Sequence, residues 1–256
     1  MGTWPIPVVL RRGPTSDMET GGEMTDEELT ARYNYDEFIP TKFEPWLNFE
    51  ASPPLGTPAP DFPLWHLDGT PTRLSQVWSA NAYTMVEFGS FTWPYCGMAA
   101  SSMEAIAQKF SPRGIGAVFL YTHEARPGEF YPHLTSMEQK FRHARDLREK
   151  LGVRRAILVD SLEGACHRAY GSMPNMTWIF NASGVPVYKS DWTDARSIEN
   201  GVEYLTDVRE RRDRRERLAP FRVERLDYRT QDLEAFYRGL DRNGPKAVRE
   251  FRAAFG

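Results

Sequence analysis

The stretch Tyr83-Thr-Met-Val-Glu-Phe-Gly-Ser-Phe-Thr-Trp-Pro-Tyr-Cys96 decides the fold. It reads as a buried strand that ends in Trp93-Pro-Tyr-Cys96, with a helical pattern following over 97–110. That order puts one sulfur in the first turn of a helix. A thiol there meets exposed backbone N–H groups and the positive end of the helix dipole, which lower its pKa from about 8.5. The turn is therefore the first candidate for chemistry.

Outward from this stretch the chain alternates strand and helix patterns. Asp68-Gly69 is a hairpin turn signal within 56–75, and strands are expected at Thr84–Phe88, Ala117–Tyr121, Ala156–Val159, Thr177–Phe180 and Val185–Tyr188. Helices are expected over about 97–110, 136–150, 162–170 and 196–216. Strand and helix in turn, then a hairpin through Asn181-Ala-Ser-Gly184 and a last helix, predict an α/β fold. Its mixed central sheet is flanked by helices in a thioredoxin-like order.

Residues 56–205 resemble the redoxin superfamily of the thioredoxin fold, and more narrowly the iodothyronine deiodinase family. Phe88-Gly-Ser-Phe-Thr-Trp-Pro94 is similar to that family's Phe-Gly-Ser-Cys-Thr-Sec-Pro. Tyr121-Thr-His-Glu-Ala125 resembles its Tyr-Ile-Glu-Glu-Ala, Ile157-Leu-Val-Asp160 its strand ending in Asp, and Ala169-Tyr-Gly-Ser-Met-Pro174 its Tyr-x-x-x-Pro. The resemblance implies an oxidoreductase ancestry, but the selenocysteine position falls on Trp93, the preceding Cys on Phe91 and the histidine after Glu-Ala on Arg126. An indole cannot act as a selenolate or thiolate nucleophile. Peroxiredoxins are also similar here, with their reactive Cys at the position of Cys96, although Gly89 and Trp93 stand where their Pro and Thr would be.

The catalytic candidates are Cys96 and Glu124; Phe91, Thr92, Trp93, Pro94, Arg126, Met173 and Pro174 are substrate-binding candidates. Met173-Pro174 precedes a strand where the resemblance places a cis proline facing the nucleophile, leaving Met173 a free backbone edge. Glu124 and Arg126 are expected on the rim of the site, with solvated side chains as the plainer reading. His123 reads as a surface histidine or an acid/base group. Cys166, seventy residues beyond Cys96, is expected to be structural.

Two functions stay open. In one, Cys96 thiolate attacks a peroxide, a disulfide or a halogenated aromatic, and a small-molecule or protein thiol regenerates it. In the other, Trp93, Phe91, Tyr95 and Met173 form an aromatic recess in a binding module without catalysis.

Composition adds limits. The 256 residues are 41% hydrophobic and 26% charged, with a net charge of −3, as expected of a globular chain. No phosphate loop, serine-hydrolase elbow or clustered metal ligands are present, so no cofactor or metal is expected beyond a thiol reductant as cosubstrate. Two cysteines and the absence of a signal-peptide pattern make the cytoplasm the expected setting.

Residues 1–60 hold ten acids against four Lys/Arg, and 206–256 hold fourteen Lys/Arg against ten acids. The acidic start is expected to be disordered over 1–24, with a packed arm over 25–55 in which Thr25 and Glu28 form a capping box. The mixed run Arg209–Arg217 reads as a solvated helix rather than a nucleic-acid surface, and no membrane partner is implied. The 206–256 extension ends in two amphipathic helices around Asn243-Gly244, suited to covering the core or a second copy of the chain.

Overall fold

A computed structural model describes residues 24–219 and 232–255. The disorder expected over 1–24 falls, except for its last residue, outside the described residues. The sheet has seven strands: β1 Pro63–His66, β2 Pro71–Arg73, β3 Tyr83–Gly89, β4 Ile115–Tyr121, β5 Ala156–Val159, β6 Thr177–Asn181 and β7 Pro186–Ser190. Their order is β2-β1-β5-β4-β3-β6-β7, with β3, β4 and β5 parallel and the others antiparallel to their neighbours. This is the expected thioredoxin-like arrangement with a hairpin added at one edge.

β3 lies between β4 and β6, so both of its edges are paired, and with helices on both faces residues 84–89 are buried. Met85, Glu87 and Gly89 face one layer, and Val86 and Phe88 the other, as the two-residue period of a strand requires. Val86 and Phe88 join a cluster with Trp78 of α3 (Leu74–Ser79) and Cys166 of α6 (Ala165–Ala169). On the opposite face lie α4 (Pro94–Phe110), α5 (Met137–Leu151) and α7 (Ala195–Asp213).

The helix after the decisive stretch starts earlier than its pattern suggests. Pro94 is its first residue, where the missing N–H costs nothing, and Cys96, Ala100, Met103, Ala107 and Phe110 form its buried stripe. Ser136 caps α5 and Asp194 caps α7. The helix expected over 162–170 shortens to Ala165–Ala169, because Asp160 accepts the N–H groups of Ser161, Cys166 and His167 and fixes where it starts.

Both extensions pack on the domain. α1 (Asp26–Tyr33) has the expected Thr25–Glu28 capping box. Tyr33 lies so close to Gly164, at φ +68°, that a Cβ there would come within 2.0 Å of its ring. Beyond α2 (Pro40–Phe43), α8 (Leu233–Asp241) and α9 (Pro245–Phe255) complete the helices. α8 settles on the start of α4, where a Cβ on Gly239 would meet Pro94 Cβ at 2.8 Å. The C-terminal pair therefore covers the turn that the sequence marks for chemistry.

Gly89 is the tightest point under that turn. A Cβ there would come within 2.4 Å of Cys96 Sγ and 2.9 Å of the Phe119 ring. Gly89→Ala should lower the unfolding free energy by about 1–3 kcal/mol through overpacking. Adding Cys96→Ala should recover part of that loss in denaturant titrations; an unchanged midpoint in the single variant would contradict the crowding described.

Candidate functional site

The site begins in the loop from Ser90 to Trp93, which carries the chain from β3 into α4. Thr92 is held from three sides. Its N–H donates to Glu124 Oε2 at 3.2 Å, its Oγ1 accepts the Arg126 N–H at 3.1 Å, and its carbonyl accepts Asn243 Nδ2 at 2.7 Å. The loop after β4 and the C-terminal helices thus grip one residue next to Trp93.

Glu124 is buried rather than on a solvated rim, because the loop after β4 folds under the turn. The Tyr121 hydroxyl donates to its Oε1, and His143 Nδ1 lies 2.9 Å from the same oxygen. A carboxylate oxygen only accepts, so Nδ1 carries the proton. Tyr121 Oη in turn accepts the Phe91 N–H at 3.3 Å. Glu124, Tyr121 and His143 form a closed polar network that fixes the backbone of Phe91 and Thr92.

Arg126 departs further from a solvated rim. It is 3% exposed. Its guanidinium carbon lies 4.2 Å from the ring centre of Phe251, 4.4 Å from Phe38, 4.5 Å from Trp93 and 5.2 Å from Phe236. Burial pushes its pKa down to about 9, so it stays charged at neutral pH. No carboxylate pairs with it among the described residues, and Nε and Nη1 lack hydrogen-bond partners. The ring faces offset part of the desolvation cost through their quadrupoles.

These contacts close the aromatic recess expected at Trp93. The indole is 5% exposed, stacks on Trp192 at 5.5 Å and packs on Tyr95. Tyr95 meets Phe236 of α8 at 5.2 Å. Own-chain aromatics fill the space a ligand was expected to use.

Cys96 sits in the first turn of α4, as read from the sequence, but is 1% exposed. Burial, and then the charge of Glu87, push its thiol well above the ordinary range. The helix-start effect loses because desolvation disfavours a thiolate with no nearby solvent. Glu87 itself is paired with buried Arg155, which also reaches Glu104 at 3.2 Å. Cys96 and Cys166 are both free and occupy different core clusters.

Met173 and Pro174 do not complete the site in the expected way. No cis peptide bond occurs among the described residues, so Met173–Pro174 is trans. The chain turns just before it, through Gly171 at φ +110° and Ser172 at φ +51°. Met173 packs in the cluster of Val86 and Phe88, and its carbonyl accepts His167 Nε2 at 2.9 Å, so its backbone edge is not free. His123 is also buried, against Tyr33, Tyr35 and His167, and burial keeps it neutral at pH 7.

The turn residues Phe91, Thr92, Trp93, Pro94 and Cys96 therefore meet Glu124 and Arg126, while Met173 belongs to the opposite layer. Sequence reasoning missed Tyr121, His143, Phe236 and Phe251 as site residues. His143 carried a readable signal, since it falls on the buried stripe of α5 with Ala144 and Leu147. The aromatics of α8 and α9 carried none, because only tertiary packing shows which element they cover.

Among the described residues no helix is long and apolar enough to cross a membrane. No protein-family model matches the chain. A hypothetical protein from Sinorhizobium meliloti 1021 is similar in structure, with a TM-score of 0.50 and 17% identity over 61% of this chain and 86% of that one. An uncharacterized conserved protein from Geobacillus kaustophilus gives 0.49 and 23%, over 60% of this chain and 83% of that one. The thioredoxin domain of a thiol-disulfide oxidoreductase from Bacteroides vulgatus gives 0.47 and 14%, over 60% and 99%. At these identities the likeness concerns the fold.

Arg126→Ala should lower the unfolding free energy by about 2–4 kcal/mol, because it removes the cation shared by the four rings and leaves a cavity among them. Denaturant titration checks this, and a loss below about 0.5 kcal/mol, the size of an ordinary surface substitution, would contradict it.

Proposed function

We propose that the protein is a thioredoxin-fold binding module whose former redox turn serves as a structural hub. The enclosure of Cys96 carries this reading. A thiol that is 1% exposed, and held well above its ordinary pKa, has neither the thiolate fraction nor the access that attack on a substrate needs. Trp93, at the selenocysteine position of the family it resembles, is committed to Arg126 and Trp192.

Ligand access on this reading shifts from Trp93 to a cleft lined by the exposed Phe130, Arg142 and Arg242, with the buried Phe91 behind them. This open cleft has a volume of about 420 Å³, and Phe91 and His143 are among its lining residues. The Glu124 network holds both Phe91 and His143, so the polar groups that once suited a reaction now shape a recess.

A second reading is favoured by one observation, the place of Cys96 in the first turn of α4. It is a one-cysteine redoxin that acts on a peroxide, a disulfide or a halogenated aromatic once the C-terminal helices move. A thiol or disulfide partner would regenerate it. The deiodinase resemblance belongs to this reading.

Thiol reactivity separates the two. Under the binding reading, iodoacetamide at pH 7.5 leaves both Cys96 and Cys166 unmodified in the native protein and labels both in denaturant, as read by mass spectrometry. Peroxide should likewise leave Cys96 unoxidised. Rapid labelling of Cys96 but not Cys166, with sulfenic acid formed on peroxide treatment, would overturn the binding reading in favour of the redoxin.

A further inference from the structure

The cleft beside Phe91 has a charge imbalance that points to its ligand. Lys150, Arg142 and Arg242 line it, against the single acid Asp146. Lys150 and Asp146 satisfy each other at 2.9 Å, and both bind the Tyr131 hydroxyl at 2.7 Å. Arg142 and Arg242 are left without a carboxylate partner among the described residues. The Arg242 guanidinium lies 5.6 Å from the Phe91 ring centre.

One side is aromatic. Phe91 and Tyr131 pack at 4.1 Å and are nearly buried, while Phe130 stands on the rim with 66% of its surface exposed, among the most exposed large apolar side chains of the described residues. A cleft of about 420 Å³ takes a ligand of one or two fused rings with one polar substituent.

We propose that this cleft binds an aromatic phosphate monoester, its ring against the exposed Phe130 and its phosphate between Arg142 and Arg242. Charge selects the phosphate: a dianion neutralises both unpaired guanidiniums, whereas a monocarboxylate leaves one unmatched. Hydrogen-bonding capacity agrees, since a phosphate offers enough oxygens to accept the donor forks of two arginines. Neutral aromatics would pack on Phe130 but leave the arginines unanswered. The proposal rests on the binding reading and names its ligand class.

Isothermal titration of the full chain with 5′-AMP and 1-naphthyl phosphate tests it, with adenosine, 1-naphthol and inorganic phosphate as comparisons. At least one monoester should bind ten times more tightly than its neutral counterpart and than inorganic phosphate. Which one binds distinguishes a nucleotide from a simple aryl phosphate. Arg142→Ala and Arg242→Ala should each weaken that binding at least tenfold, and Phe130→Ala about threefold, with thermal unfolding showing that each variant is folded.

Absence of binding by both monoesters, equal binding of the neutral counterparts, or unchanged affinity in both arginine variants would overturn the proposal. An inert Cys96 together with no monoester binding would remove the ligand class alone. A reactive Cys96 would remove the binding reading itself.

Discussion

Arg126 is the constraint on which the arrangement of this protein depends. Its guanidinium touches rings from the N-terminal arm, from the start of α4 and from both C-terminal helices, so parts of the chain far apart in sequence share one cation. A buried charge without hydrogen-bonded partners is costly, and it persists only where the surroundings compensate it. Here the compensation comes from π faces. Together with the contacts of α8 on Pro94 and Tyr95 and of Asn243 on Thr92, the cage couples the two extensions to the turn between β3 and α4.

The consequences reach down through the turn. Once α8 rests on Pro94 and Asn243 holds the Thr92 carbonyl, Trp93 and Cys96 lose contact with solvent. Below them, Glu87 and Arg155 place a buried ion pair under α4, and the Glu87 charge further disfavours a thiolate at Cys96. Beside them, Glu124 accepts the Thr92 N–H and bonds Tyr121 and His143, and Tyr121 accepts the Phe91 N–H. The fold and the polar network around the turn are in place, whereas solvent access to the sulfur is not.

Much of the fold was legible because its signals are local. The β3 stretch, the Asp68-Gly69 hairpin, the Thr25–Glu28 capping box and the break at Asn243-Gly244 all fall where short-range patterns place them. The membership of the site was legible in part, since the turn residues, Glu124 and Arg126 do meet. Their environment was not. Glu124, Arg126 and His123 read as exposed loop residues until the arm and C-terminal helices are seen to cover that loop. The backbone at Met173–Pro174 was misjudged for a related reason: resemblance supplied the expectation, while Gly171 and Ser172 make the turn in this chain.

The claim that the turn is sealed by its own extensions is tested most directly by native-state hydrogen exchange. If the Arg126 cage joins these parts, the amides of residues 91–97 and of α8 exchange together, with protection approaching that of the central strand β3. Exchange of α8 and the turn that is orders of magnitude faster than in β3 would show that the cover opens readily, and would contradict the account.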